Sequence, residues 1–236
     1  HADVAITYSN LGNVYYYLGD YKKSIDYERQ SLNIRKELFG AYHINTAISY
    51  SNIGQIYYKL SMYSEALENM AMALDVFINI FGEEHSKTAI CYNNIADVFS
   101  DVGHYDTAIK YCNKALSIRL NVLGEEHEDT ITTYNSIAYN FYSIGDYNSA
   151  IEYYAKVVTG LERLLGADHP KVASVICNMG SAYGNLRNYD KALELQLRAL
   201  DIRLASLGEM HADTATSYNN IGDIYLDTNE YDKALE

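Results

Sequence analysis

Six histidines stand 42 residues apart in this chain: His1, His43, His85, His127, His169 and His211. Counted from each histidine, the twenty-first position is always tyrosine (Tyr21, Tyr63, Tyr105, Tyr147, Tyr189, Tyr231). The fortieth is always glycine where the block is complete (Gly40, Gly82, Gly124, Gly166, Gly208). A fixed period of this length calls for supersecondary units that bury their apolar faces against one another, and it excludes a single closed globule. The repeats run 1–42, 43–84, 85–126, 127–168, 169–210 and, truncated, 211–236. They predict a single array of five full units and a partial sixth. The first residue is a histidine in register with the repeat, not a methionine, so the chain reads as a piece of a longer protein.

Within each repeat the apolar spacing is helical. Tyr8, Leu11, Gly12, Tyr15 and Leu18 mark one face of a helix over positions 2 to about 18. Tyr50, Ile53, Gly54, Tyr57 and Leu60 repeat that face, as do Tyr92, Ile95, Ala96, Phe99 and Val102. Position 12 is always small (Gly12, Gly54, Ala96, Ala138, Gly180, Gly222). Glycine costs about 1 kcal/mol relative to alanine inside a helix, so its return there implies close packing. A turn follows, and a second helix is expected to open on an N-cap at position 22: Ser64, Asp106, Asn148, Asp190 and Asp232, with Lys22 departing. Its inner face alternates small and large, as in Ser24/Ile25/Ser31/Leu32 and Ala66/Leu67/Ala73/Leu74. The glycine at position 40 should end it in the left-handed region. Pro170 is the one proline, placed in a first turn where its missing N–H costs nothing.

Tyr8, Leu11, Gly12, Tyr15, Ser24 and Ser31 stand at the spacing of the tetratricopeptide signature, and its two alanines appear as Ala108/Ala115 and Ala192/Ala199. The 42-residue period, the Tyr-Asn-Asn-Ile-Ala/Gly runs at 92–96 and 218–222, and the Ile118-Arg119 and Leu123-Gly-Glu-Glu-His127 joint make the chain similar to tetratricopeptide proteins of the kinesin light chain and nephrocystin-3-like subgroup. The resemblance implies an all-α, right-handed superhelical solenoid of antiparallel helix pairs. It also implies that the first helices line a concave groove holding a peptide or partner helix.

Composition narrows the function. The net charge is −13, which disfavours nucleic acid and anionic membrane as partners. The three cysteines form no CxxC pair and no even framework, which favours a reducing, cytoplasmic setting. Equivalent histidines of stacked pairs lie about twice the 8–10 Å helix spacing apart, too far to share a metal ion, so they read as residues that cap or pack the joint. Glu83-Glu84-His85 and Glu125-Glu126-His127 read as acids at helix N-termini. No phosphate loop, dinucleotide fingerprint or nucleophile elbow is present. Neither a catalytic role nor a cofactor is expected.

The remaining signal lies on the first-helix face opposite the apolar stripe. Position 10 reads Asn10, Asn52, Asn94, Ser136, Asn178, Asn220, although asparagine is a poor helix former and exposed positions such as 29 have diverged. An amide ladder could hydrogen-bond an extended peptide backbone, could bond between repeats, or could be merely solvated. The same face carries Asn13, Tyr17, Gln55, Lys59 and Tyr139 and two like-charge pairs, Asp97/Asp101 and Asp223/Asp227. Such pairs repel within a helix and suit a face that awaits a cation, though a solvated face would look the same. Tyr16, Tyr58 and Tyr142 flank it. Arg35, Arg119 and Arg203 alternate with Phe77 and Leu161 at position 35 and read as cations facing helix C-termini. The expectation is an adaptor that binds a protein segment, with a preference for basic ones. The alternative is a sensory segment of a larger enzyme or ATPase. An uncapped last repeat would also allow self-association.

Overall fold

A computed structural model describes residues 1–235; Glu236, the last residue of the expected sixth repeat, lies outside them. All regular structure in the described residues is helical. The helices are α1 (Ala2–Tyr17), α2 (Tyr21–Phe39), α3 (Ile44–Lys59), α4 (Tyr63–Phe81), α5 (Ser86–Asp101) and α6 (Tyr105–Val122) in one compact unit. A second unit, from Leu123 onward, holds α7 (Glu128–Ser143), α8 (Tyr147–Leu165), α9 (Pro170–Asn185), α10 (Tyr189–Leu207), α11 (Ala212–Asp227) and the short α12 (Tyr231–Ala234). In the first unit α1 packs on α2, α3 on α4 and α5 on α6, while α2 and α4 also pack on the helix that follows. The second unit repeats this with α7/α8, α9/α10 and α11/α12.

Each element ends where its sequence stops supporting it. First helices close in Schellman turns: Gly19 N–H donates to Tyr16 C=O and Asp20 N–H to Tyr15 C=O, with the glycine at φ 76°. Gly103 and Gly145 take the same role, and Ser61, Arg187 and Asn229 adopt it with positive φ despite their side chains. The residue after that turn, at position 20, caps the second helix. Asp20, Asp146 and Asn188 accept from the N–H of Lys23, Ser149 and Lys191. The expected cap at position 22 is therefore displaced by two residues, because the tyrosine at position 21 is already helical. Position 40 has positive φ as expected, but ψ is extended (Gly40 φ 83°, ψ 174°), a region only glycine occupies readily, and not the left-handed helical one.

The histidines are caps. The Nδ1 atoms of His43, His85, His127, His169 and His211 each accept from the N–H two residues on, at 3.1–3.2 Å. Phe39 and Phe81 stack on His43 and His85, with centroids 4.5 and 4.2 Å apart. Thr46, Thr88, Thr130 and Thr214 then tie the new helix to the carbonyl of the preceding position-40 glycine. The acidic loops also bond sideways: Glu126 pairs with Arg163, and Tyr134 donates to Glu125.

Position 12 is small for the expected reason. A Cβ on Gly54 would lie 2.7 Å from Met70 Cγ and 3.2 Å from the Ala66 carbonyl. In the first repeat the stripe is only partly covered, and Leu11 and Leu18 are exposed. Position 35 departs from the dipole reading. Arg35 is buried and reaches across the joint, its Nη1 donating to the Asn45 carbonyl at 3.1 Å and to Ser49 Oγ at 2.7 Å. Arg203 does the same to the Asp213 carbonyl and Ser217. Where position 35 is apolar the facing residue is apolar too: Phe77 meets Cys91 in one cluster. All three cysteines are free and buried, and burial pushes the Cys91 and Cys112 thiols up to about 12.

Candidate interaction face

The first helices of each unit present positions 10, 13 and 17 on a shared face. In the first unit that face is built on α1, α3 and α5. Asn10, Asn13 and Tyr17 are exposed on α1, Tyr17 at 87%. Asn52 and Gln55 on α3 are half-buried and Lys59 is exposed. Asn94 and Asp97 on α5 are half-buried and Asp101 is exposed. In the second unit Ser136 is half-buried and Tyr139 exposed on α7, Asn178 is exposed on α9, and Asn220 is half-buried beside exposed Asp223 and Asp227 on α11.

The position-10 amides do not form one uniform ladder. Asn52 Nδ2 donates 2.9 Å to Glu28 Oε1 of the preceding repeat. Asn220 Nδ2 donates to Cys177 Sγ at 3.0 Å and to Gln196 Oε1 at 3.4 Å, again one repeat back. These two amides bond between repeats. Position 28 supplies the acceptor there, as glutamate in the first repeat and glutamine in the fifth. In the second repeat position 28 is Met70, which cannot accept, and Asn94 Nδ2 is buried without a hydrogen-bond partner among the described residues. Buried donors are rarely left so.

Position 28 is the part that reading the sequence missed. Glu28 is fully buried; Ser9 Oγ donates to its Oε1 at 2.7 Å, and its Oε2 has no hydrogen-bond partner among the described residues. Burial holds its pKa above the ordinary glutamate range, against the hydrogen bonds from Ser9 and Asn52 and the charge of Arg35. The signal was in the spacing: Ser24, Glu28, Ser31 and Arg35 share one helical stripe, and all four are buried. Polar residues on an inner stripe mark a hydrogen-bonded joint.

Asn94 opens into a cleft of about 150 Å³ that it shares with Asp97, Gln55, Lys59 and the rings of Tyr16 and Tyr58. Burial and the neighbouring Asp101 push the Asp97 carboxyl up to about 6, opposed by the charges of Arg119 and Lys59. Burial, together with the neighbouring Asp101 and Asp97 carboxylates, holds the Tyr58 phenol protonated well above the ordinary range. Lys59 Nζ stands 5.4 Å from the Tyr58 ring centre. The second unit has a cleft of about 260 Å³ in the same register, lined by Tyr142, Asn185, Gln196, Asn220, Asp223 and Asp227 over the backbone of Gly180 and Gly184. Asn185 Nδ2 donates to the Tyr142 hydroxyl at 3.1 Å. The structure thus brings each acidic pair together with a position-10 amide and a tyrosine, and leaves Asn10, Asn13 and Tyr17 in solvent. Among the described residues no group of three or more His, Cys, Asp or Glu could hold a metal ion, and no helix is long and apolar enough to cross a membrane.

The sequence profile of the tetratricopeptide repeat matches residues 3–78, 56–111, 101–163, 142–202 and 171–236. Among solved structures, the chain is similar to BtubC (BKLC) from P. vanneervenii, with 24% identity, a TM-score of 0.76, and coverage of 91% of this chain and 86% of that one. It is similar to a P. anserina putative kinesin light chain with nearly identical repeats, at 17% identity and TM-score 0.76, covering 88% and 98%. It also superimposes on a signal transduction ATPase with a tetratricopeptide repeat sensor from Pyrococcus horikoshii, at 18% identity and TM-score 0.79, covering 98% of this chain and 35% of that one. At these identities the likeness is one of fold. No curated protein matches the chain in sequence.

Proposed function

Because the chain belongs to the tetratricopeptide repeat family, a fold generally used for protein–protein interaction, we propose that it is a cytoplasmic adaptor that holds an extended protein segment, preferably a basic one, along its first-helix faces. The observation that carries this reading is the Asn94 amide. Its buried donor has no acceptor among the described residues and opens into a cleft beside Asp97. A peptide carbonyl placed there would satisfy the donor, and the exposed Asp223/Asp227 pair on α11 would draw a cationic side chain. Recognition rather than chemistry is the task assigned to the segment.

The test is the affinity for a partner recovered by capture on the whole chain. Alanine at Asn94 and Asn178 breaks no side-chain hydrogen bond among the described residues, since Asn94 Nδ2 has no partner there and Asn178 is exposed. Affinity should fall about tenfold, on the order of 1.4 kcal/mol, with no change in melting temperature. Unchanged affinity rejects the reading. Asn52 is unsuitable for this purpose because its loss breaks the Glu28 bond.

A second reading is supported by the Pyrococcus horikoshii likeness, in which a segment of this fold is the sensor of a larger ATPase. The chain would then be the ligand-sensing part of a longer polypeptide. A nucleotide-binding segment encoded beside the repeats would favour it over the adaptor.

A further inference from the structure

The two clefts stand at equivalent positions three repeats apart. Tyr16, Asn94 and Asp97 of the first correspond to Tyr142, Asn220 and Asp223 of the second, and Asp101 corresponds to Asp227. They differ in what fills them. The first holds the Tyr58 ring, with the Lys59 ammonium over it. The second has Gly184 in place of Tyr58, Asn185 in place of Lys59, Ser181 in place of Gln55 and Gln196 in place of Met70. The chain's own cation and the ring beneath it are therefore missing, and the space rises from about 150 to about 260 Å³.

We infer that the cleft between α9 and α11 is a receptor for one cationic side chain, arginine or lysine, of an extended partner segment, and that the matching cleft between α3 and α5 is filled from within by Tyr58 and Lys59. This rests on the adaptor reading and deepens it. Four features support it. Among the described residues Asp223 and Asp227 have no ion-pair partner, whereas the charge of Lys59 acts on Asp97 and Asp101 stands beside Tyr58. Tyr142 is held at the rim by Asn185 and offers a ring to a cation, as Tyr58 does to Lys59. A guanidinium is planar and can meet a carboxylate with two N–H groups while lying on such a ring. The volume falls below the roughly 300–1,000 Å³ of sites for whole small molecules, which suits a single side chain.

The probe is the peptide acetyl-Ala-Ala-Arg-Ala-Ala-amide titrated into the nitrogen-15-labelled whole chain, followed at the amides of Gly180, Gly184 and Asn185. Lysine and norleucine replace the arginine in parallel series. The arginine and lysine peptides should saturate these shifts, and the norleucine peptide should bind at least about tenfold more weakly. Asn185→Lys, a change at an exposed position, should close the cleft and abolish the response. Tyr58→Gly with Lys59→Asn should open the first cleft and add a second response at Gly54 and Gln55. If the double variant does not fold, Asn185→Lys and Asp227→Asn still decide. Equal binding of the norleucine peptide, or an Asn185→Lys chain that titrates as the parent does, overturns the inference. A captured partner weakened by alanine at Asn94 and Asn178 but not by Asn185→Lys keeps the adaptor face and overturns the cation cleft. The reverse result keeps the cleft and overturns the wider face.

Discussion

At the scale of single residues, the fifth repeat shows what Glu28 lacks. Gln196 occupies the same position, accepts from Asn220, and donates its Nε2 to the Cys177 carbonyl at 2.9 Å. Glu28 accepts from Ser9 and Asn52, but its second oxygen, where glutamine would carry a donor, is unpartnered among the described residues. Only the protonated acid can supply that donor. Because the folded pKa is raised, the folded state holds the proton more tightly than the unfolded one. The contribution of Glu28 is then fully present below the ordinary glutamate value, about 4.3, and is lost as pH rises through the folded value. Glu28→Gln should therefore raise the melting temperature at pH 7, by about 1 kcal/mol of stability, and the gain should vanish near pH 4. Thermal denaturation of both chains across that range checks it; a gain independent of pH would refute the protonation argument. The capping histidines give a simpler case. His85→Ala removes the acceptor for the Lys87 N–H and the stack on Phe81, and should cost about 1 kcal/mol, whereas His85→Asn should keep most of it.

At the scale of elements, two glycines on first helices, Gly54 of α3 and Gly184 of α9, should respond with opposite sign. Alanine at Gly54 gains helix propensity of about 1 kcal/mol but forces its Cβ against Met70 Cγ and a backbone carbonyl, and overpacking of this kind costs about 1–3 kcal/mol. Gly184 has only the Ala192 Cβ, 4.0 Å away, so its alanine variant should be stabilised by about 0.5–1 kcal/mol. Urea denaturation of the two variants separates them; destabilisation at Gly184 would mean the cleft floor is more crowded than described. This contrast also shows how far the sequence could be read. Helix positions, the small residue at position 12 and the histidine joint follow from a period of 42, because the same local forces act in every repeat. The cap at position 20 was misplaced by two residues because Asp20, Asp146 and Asn188 share that position with Met62 and His104, which diluted its signal. The split of the position-10 asparagines into joint and cleft residues was not legible, since it depends on what position 28 of another repeat can accept. Asn52 and Asn94 look alike in sequence and differ only through Glu28 and Met70.

At the scale of the whole molecule, charge and cleft act on different steps of binding. The net charge of −13 acts at long range on any basic partner before contact, and salt screens it over a Debye length of about 8–10 Å near physiological strength. Raising salt from low to high should therefore slow association with a basic segment by about tenfold or more and leave dissociation comparatively unchanged. Asp97 acts only after contact. Its carboxyl, raised to about 6 by burial and by Asp101, is mostly ionised at pH 7 and mostly protonated at pH 5. Lys59, the cation that already stands in its cleft, loses that attraction as pH falls through 6; the cleft that would hold a partner carbonyl at Asn94 loosens, and dissociation should quicken several-fold between pH 7 and 5. Asp97→Asn should dissociate at pH 7 about as fast as the parent does at pH 5, and should lose most of this pH dependence. Surface plasmon resonance on a captured partner, scanned once in salt and once in pH, resolves the two rates. If salt moved dissociation as strongly as association, the acidic surface and the cleft would not be separable contributions, and the assignment of the local role to Asp97 would fail.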